Sequence, residues 1–371
     1  MSEFTVACIG AGADPQTQDM SGFSMAYRHG AAYERLDECT LLAVADVVPE
    51  NARAFAEYFD IPGENVYEDY EALLAEVEPD VVSVCTPPHT HAEIVIGCAR
   101  SGVVDAVHCE KPMAFRWDEC ERILAVAEET GVNVTFNHQR RFGKPFREAK
   151  RLLDAGDIGR LERIEMGAPN VYDYGSHSVD LCNYFNDERS AEWVIGQIDY
   201  REEDRWFGAH NENQALASWR YENGVDALAA TGTTGFGLVD CHHRLVGSEG
   251  TIEIGRGFLG EGDDWPSLRV KRDGEGWENV DDDGDGLHGF ETAEYGDAFI
   301  DRAIEDVIEA LAAGRTSELD CRNAYRASEI IFGIWESSRR HGRVDLPLDI
   351  DDNPLDAMVD SGDVTPEPAE E

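Results

Sequence analysis

The sequence predicts an α/β protein: an N-terminal doubly wound parallel sheet, followed by an α+β domain built on a mostly antiparallel sheet. Three observations predict it. Between Phe4 and Phe136, short apolar runs alternate strictly with amphipathic helical stretches. The first run ends in a glycine-rich turn, "VACIGAG". After about Asn137 the period changes to alternating apolar and polar residues punctuated by "ENG" and "SEG", which are hairpin turn signals.

In order, the first domain reads as strands at Phe4–Ile9, Leu41–Ala45, Val81–Cys85, Ala106–Cys109 and Val132–Phe136. The intervening helices fall near Ser24–Arg35, Pro49–Tyr58, Tyr70–Glu76, His91–Ser101 and Trp117–Thr130. A helix near Phe142–Ala155 opens the second domain, and "LERIEMGA", "EWVIGQIDY", "QALASWRYENG", "DALAATGT" and "HHRLVGSEGTIEI" then read as strands. Two late helices are expected near Tyr295–Ala313 and Cys321–Arg340, and residues 272–287 as a solvated loop. The expected divisions are residues 1–136, 137–353 and a frayed, acidic and Pro-rich tail at 354–371.

The 371 residues carry 76 acidic against 31 basic side chains, a net charge of -45, with 27 arginines and only four lysines. Such a charge disfavours nucleic acid and anionic membranes as partners. Its self-repulsion is screened in molar salt, where the Debye length is roughly 3 Å, so the composition points to a very salty cytoplasm. An acidic surface with a specific basic partner is the alternative. Nine cysteines without a C-x-x-C pair read as reduced thiols. The acidic N-terminus lacks the blocks of a signal peptide and no apolar run approaches 18 residues, so a soluble cytoplasmic protein is expected. "DDDGDGLHGFE" lacks the spacing of a calcium loop and reads as a solvated turn. His242 and His243 have no third ligand at suitable spacing, so no metal is expected.

Gly10 and Gly12 stand where the backbone must approach a pyrophosphate. Position 15, where a compact G-x-G-x-x-G would end, is Pro. "LLAVAD" ends the second strand at Asp46, and the third fingerprint position lies about 20 residues before such an acid. That places it at Ala26, with an insertion at about residues 13–25. Asp46 would accept hydrogen bonds from ribose hydroxyls and repel a 2'-phosphate, which favours NAD over NADP.

"CTPPHTHAEIV" and "CEKPM" close the fourth and fifth strands. They put Thr86, Pro87, His91, Glu110 and Lys111 at the carboxyl edge, where the nicotinamide half is expected. A lysine in an arginine-rich chain is notable there. An ammonium is a compact charge for a developing alkoxide and, unlike guanidinium, gives up a proton. "YDYGSHSVDLCNYF" offers Asp173, His177 and Asp180 at helical spacings, and a histidine suits removal of a hydroxyl proton during hydride loss. Arg140 and Arg141 of "NHQRRF" serve either salt-bridged structure or substrate contact.

These stretches, with "VAD" and "GSEGTIEI", resemble the Gfo/Idh/MocA family of NAD(P)-dependent oxidoreductases over nearly the whole chain. The resemblance implies a Rossmann domain and an α/β domain whose open sheet faces the nicotinamide and often forms the interface of a homo-oligomer. It assigns Lys111 to assisting proton transfer and holding the substrate hydroxyl. Asp173 and His177 match the residues that polarise, deprotonate and orient that hydroxyl, while Arg141 and Asp180 are candidate substrate contacts. The expected activity is dehydrogenation of a sugar, cyclitol or related polyol. The rivals are an NAD-binding regulator without turnover, and a member that cleaves glycosides with transient use of NAD.

Overall fold

The computed structural model describes residues 4–15, 24–256, 266–280 and 299–368. They form two compact units. The first comprises the described residues within 1–115, 119–139 and 290–324; the second comprises those within 116–118, 140–289 and 325–371.

In the first unit, β1 (Phe4–Ile9), β2 (Cys39–Ala45), β3 (Val66–Tyr67), β4 (Val81–Val84), β5 (Ala106–Cys109) and β6 (Asn133–Phe136) form a parallel sheet ordered β3-β2-β1-β4-β5-β6. Every residue of β4 and β5 is buried, as expected of parallel strands covered on both faces. The crossovers are α1 (Met25–Tyr33), α2 (Pro49–Tyr58), α3 (Tyr70–Val77), α4 (Pro88–Arg100) and α5 (Trp117–Thr130). Tyr27, Phe55 and Phe59 fill one apolar cluster. A second is formed by Val6, Tyr33, Val81 and Ala106 with Ile300, Ile304 and Ile308 of α9 (Phe299–Ala313).

That second cluster revises the expected division. The isoleucines recur every four residues, so they share one helix face, and this face covers the first sheet. Phe136 also donates its N–H to Leu319 O at 3.0 Å. Residues 299–324 therefore pack with the first sheet, although the sequence places them in the second domain.

The second unit is a nine-stranded sheet ordered β16-β15-β14-β13-β7-β12-β11-β8-β17 among the described residues. Its strands are β7 (Leu161–Ala168), β8 (Ala191–Asp199), β11 (Gln214–Tyr221), β12 (Asp226–Thr231), β13 (Cys241–Gly247), β14 (Gly250–Arg256), β15 (Leu268–Arg272), β16 (Trp277–Asn279) and β17 (Val344–Asp345). Only the β7 and β12 neighbours run parallel; the other described pairs are antiparallel. Both turn signals join antiparallel neighbours as expected. A separate two-stranded ribbon pairs β9 (Arg205–Trp206) with β10 (Ala209–His210). The helices are α6 (Lys144–Asp154), α7 (Gly175–Phe185), α8 (Gly232–Val239), α10 (Cys321–Arg340) and α11 (Pro354–Ser361), with the first residues of α10 in the other unit.

The described parts of two stretches expected to be irregular are ordered. Residues 277–279 form the edge strand β16 on β15, while 281–287, including "DDDGDG", lie outside the described residues. The tail is not frayed through 354–368. Asn353 Oδ1 caps α11 by accepting the N–H groups of Leu355 at 3.0 Å and Asp356 at 3.2 Å. Leu355 and Met358 are buried, and Glu367 exchanges main-chain hydrogen bonds with Arg201 and Glu203.

Candidate active site

The glycine turn follows β1. Gly10 has φ +86°, and a Cβ there would lie 2.6 Å from Thr86 Cγ2 and 2.9 Å from the Thr86 nitrogen. Only glycine fits. Among the described residues, a Cβ on Gly12, at φ +68°, would meet nothing closer than 3.9 Å. Its N–H donates to Asp46 Oδ2 at 3.0 Å, and the Val48 N–H donates to Oδ1 at 2.8 Å. Each carboxylate oxygen retains a lone pair for a ribose hydroxyl. Ala26 is fully buried in the first turn of α1, which carries no acidic residue to offset the helix dipole. These features suit a dinucleotide. Of the expected insertion, residues 16–23 lie outside the described set; Ser24 Oγ donates to Ala13 O at 2.6 Å across it.

Thr86 and Pro87 lie between β4 and α4, with Pro87 at the helix N-cap. Thr90 Oγ1 donates to Thr86 Oγ1 at 2.8 Å. His91, expected to contact the cofactor, is instead fully buried, with Nδ1 2.8 Å from Pro112 O and Nε2 2.8 Å from Thr86 O. Burial lowers its pKa, and the two carbonyls oppose that. A neutral imidazole donates through only one nitrogen, so His91 bonds one of these carbonyls and packs beside the other, between the Thr86 loop and the Lys111–Pro112 loop.

Glu110 is likewise drawn inward. Its Oε1 lies 2.9 Å from His29 Nε2 and accepts from Asn137 Nδ2 at 2.7 Å, while His29 Nδ1 lies 2.6 Å from Ser83 Oγ. Burial would push this carboxyl up, but His29, Asn137 and Lys111 outweigh it and bring its pKa down to about 2. Glu110 is thus a buried anchor under half-exposed Lys111, whose own N–H donates to Glu110 Oε2 at 3.3 Å. Neither His29 nor Asn137 was singled out in the sequence. His29 lies three residues after Ala26 on the same helix, and Asn137 directly follows the last strand of the sheet; both positions point to the carboxyl edge.

In the second unit, Asp173 precedes α7 and His177 sits in its first turn, 4% exposed. The Ser176 hydroxyl donates to Asp173 O at 2.9 Å. Asp180 and Arg141 are not placed as substrate contacts. They are 1% and 2% exposed and bind each other bidentately at 2.6 and 2.6 Å, with Glu188 2.6 Å from Arg141 Nη1. Arg140 lies over the Tyr174 ring at 4.5 Å. His242 and His243 face each other through Nδ1 at 2.6 Å, and His243 Nε2 donates to Ser178 O at 3.0 Å. Among the described residues there is no group of three His, Cys, Asp or Glu that could hold a metal.

The NAD-binding Rossmann profile of the Gfo/Idh/MocA oxidoreductase family matches residues 20–138, and that family's C-terminal alpha/beta profile matches residues 162–346. The chain belongs to this family. Myo-inositol 2-dehydrogenase of Thermotoga maritima is 26% identical over 243 residues, spanning 61% of this chain and 68% of that enzyme. The NAD+-dependent scyllo-inositol 2-dehydrogenase of Bacillus subtilis is 27% identical over 232 residues, spanning 58% and 66%. Several other curated relatives are matched over about half their length or less. Levoglucosan dehydrogenase, solved with NADH and L-sorbose, superposes with a TM-score of 0.74 at 20% identity, covering 94% of this chain and 100% of that one. That likeness establishes the shared fold. The matched NAD-binding segment begins at residue 20 and so includes Asp46.

Proposed function

We propose that this protein is an NAD-dependent dehydrogenase acting on a secondary hydroxyl of a cyclitol, sugar or related polyol, or reducing the corresponding carbonyl. The observation that carries the reading is Lys111 at the carboxyl edge of the nucleotide-binding sheet, underpinned by buried Glu110 and His91. The inositol dehydrogenases among its relatives support the substrate class. NAD, when bound, supplies the hydride acceptor. The chain's own residues handle the proton: His177 takes it from the hydroxyl, Asp173 orients the imidazole and stabilises its charged form, and the Lys111 ammonium offsets the developing alkoxide. Asp46 selects NAD over NADP through the ribose.

The acid-rich surface suits a soluble enzyme of a salt-rich cytoplasm; no described helix is long and apolar enough to cross a membrane. A homo-oligomer through the second sheet is part of the proposal. Ile195 and Leu228 flank Ser218 across β8, β11 and β12 and are exposed with Leu216, an apolar patch of the kind that marks an interface. The test is NADH formation with a panel of sugars, inositols and sugar acids in molar potassium chloride. Net reduction separates a dehydrogenase from both a regulator and a glycoside-cleaving enzyme that returns its hydride.

A further inference from the structure

The segment between β7 and α7, residues 169–174, carries Asp173 and leads into His177 within one turn, yet it is neither strand nor helix. Its main-chain N–H groups need partners from elsewhere. Asn170 Oδ1 accepts from Tyr174 at 2.9 Å and from Gly175 at 3.4 Å. A Cβ on Gly175 would lie 2.1 Å from Asn170 O, so the turn closes only around glycine. Two consecutive side chains then hold alternate residues before it. Glu212 Oε1 accepts the Val171 N–H at 2.7 Å, and Asn211 Oδ1 accepts the Asp173 N–H at 3.3 Å. Between them, the Tyr172 ring packs against Trp335 of α10, centroids 5.3 Å apart.

Glu212 is an unusual choice for scaffolding. It is 1% exposed, and its other partners are Trp335 Nε1 at 3.0 Å and Thr231 Oγ1 at 3.4 Å, so among the described residues every group bonded to its side chain is a neutral donor. Burial pushes its pKa up to about 7, with the donors from Val171, Trp335 and Thr231 opposing. A buried carboxylate without a cationic partner is costly to fold. What it supplies is an acceptor on each of two oxygens, gripping the 171–173 segment with one and α10 with the other. Glutamine would turn an NH2 donor toward one of those donors.

We propose that Asn211 and Glu212 are positioning residues for the reaction: together they fix the main chain on either side of Tyr172 and so set the place of Asp173 and the aim of His177. This rests on the reading that Asp173 and His177 act on the substrate hydroxyl. Loosening the grip moves those groups by a fraction of an ångström to about 1 Å, a scale that costs up to roughly a hundredfold in turnover.

The experiment compares wild type, Glu212→Gln, Asn211→Leu and Asp173→Asn in molar potassium chloride. One measurement is steady-state turnover with NAD and the polyol that wild type oxidises fastest. The other is amide hydrogen exchange of the peptide covering residues 169–175, which needs no substrate. Glu212→Gln and Asn211→Leu are expected to lose roughly ten- to a hundredfold in kcat with the KM for NAD unchanged, and to exchange that peptide at least about tenfold faster. Asp173→Asn is expected to lose turnover while keeping slow exchange. Wild-type exchange in both clamp variants overturns the grip. Fast exchange with wild-type kcat leaves the two residues purely structural and overturns their role in the reaction. If Asp173→Asn turns over like wild type, the reading of the site fails and the positioning role falls with it.

Discussion

Replacing Arg141 by Met should unfold the second unit more readily without acting on the substrate directly. Arg141 holds two carboxylates, Asp180 at 2.6 and 2.6 Å and Glu188 at 2.6 Å. Burial disfavours the guanidinium charge, but Asp180 and Glu188 more than reverse this and raise its pKa. Burial also raises the pKa of Glu188, with Arg141 opposing. Removing the cation leaves both acids without their shared partner, the situation that costs about 3–5 kcal/mol for a buried pair. Asp180→Asn still leaves the Arg141–Glu188 pair, so it should cost less, about 1–3 kcal/mol for the weakened hydrogen bonds. For a unit of this size each kcal/mol moves the melting temperature by about 2–4 °C, so Arg141→Met should lower it by roughly 6–20 °C. Thermal unfolding in molar potassium chloride measures this, alongside steady-state kinetics below the transition. A melting temperature within about 2 °C of wild type, with the polyol KM raised tenfold or more, would refute the structural assignment.

Three further expectations concern the first unit and the surface. Asp46→Ser should narrow the preference for NAD over NADP in binding titrations, because it removes the charge that repels a 2'-phosphate; equal wild-type affinity for both cofactors would count against the assignment. Glu110 has a folded pKa of about 2, below the ordinary glutamate value of 4.5, so its stabilising contribution is full above about 4.5 and is lost as pH falls toward 2. Denaturant unfolding should show wild type losing up to about 3 kcal/mol more than Glu110→Gln between those pH values, and parallel acid limbs would contradict it. With a net charge of -45, stability should rise steeply from low salt to molar potassium chloride. A salt-independent melting temperature would remove the halophilic reading.

The first sheet was legible because buried parallel strands appear as continuous apolar runs; Val81–Val84 and Ala106–Cys109 are wholly buried and stood out. Val66–Tyr67 was not legible, being two half-buried residues at the sheet edge. Gly232–Val239 was read partly as strand because "GTTGFG" has weak helical periodicity. The packing of Phe299–Ala313 on the first unit was hidden for another reason: an apolar stripe shows that a helix is covered, not by which sheet. At the site, the glycine turn and the residues closing each strand could be read from position alone. The partners of Arg141 could not, since Asp180 lies 39 residues away. Glu212 lay deeper still, because nothing in "NEN" marks a glutamate as buried until its three donors are seen.

The decisive measurement is NADH formation from NAD and a panel of inositols, sugars and sugar acids in molar potassium chloride, run with wild type, His177→Asn and Lys111→Arg. Wild type should reduce NAD with at least one polyol. A loss of turnover of roughly a hundredfold or more is expected in His177→Asn and a clear loss in Lys111→Arg, with NAD affinity nearly unchanged in His177→Asn. Tight NAD binding without reduction by any substrate of the panel, or wild-type turnover in both variants, would contradict the proposed reaction.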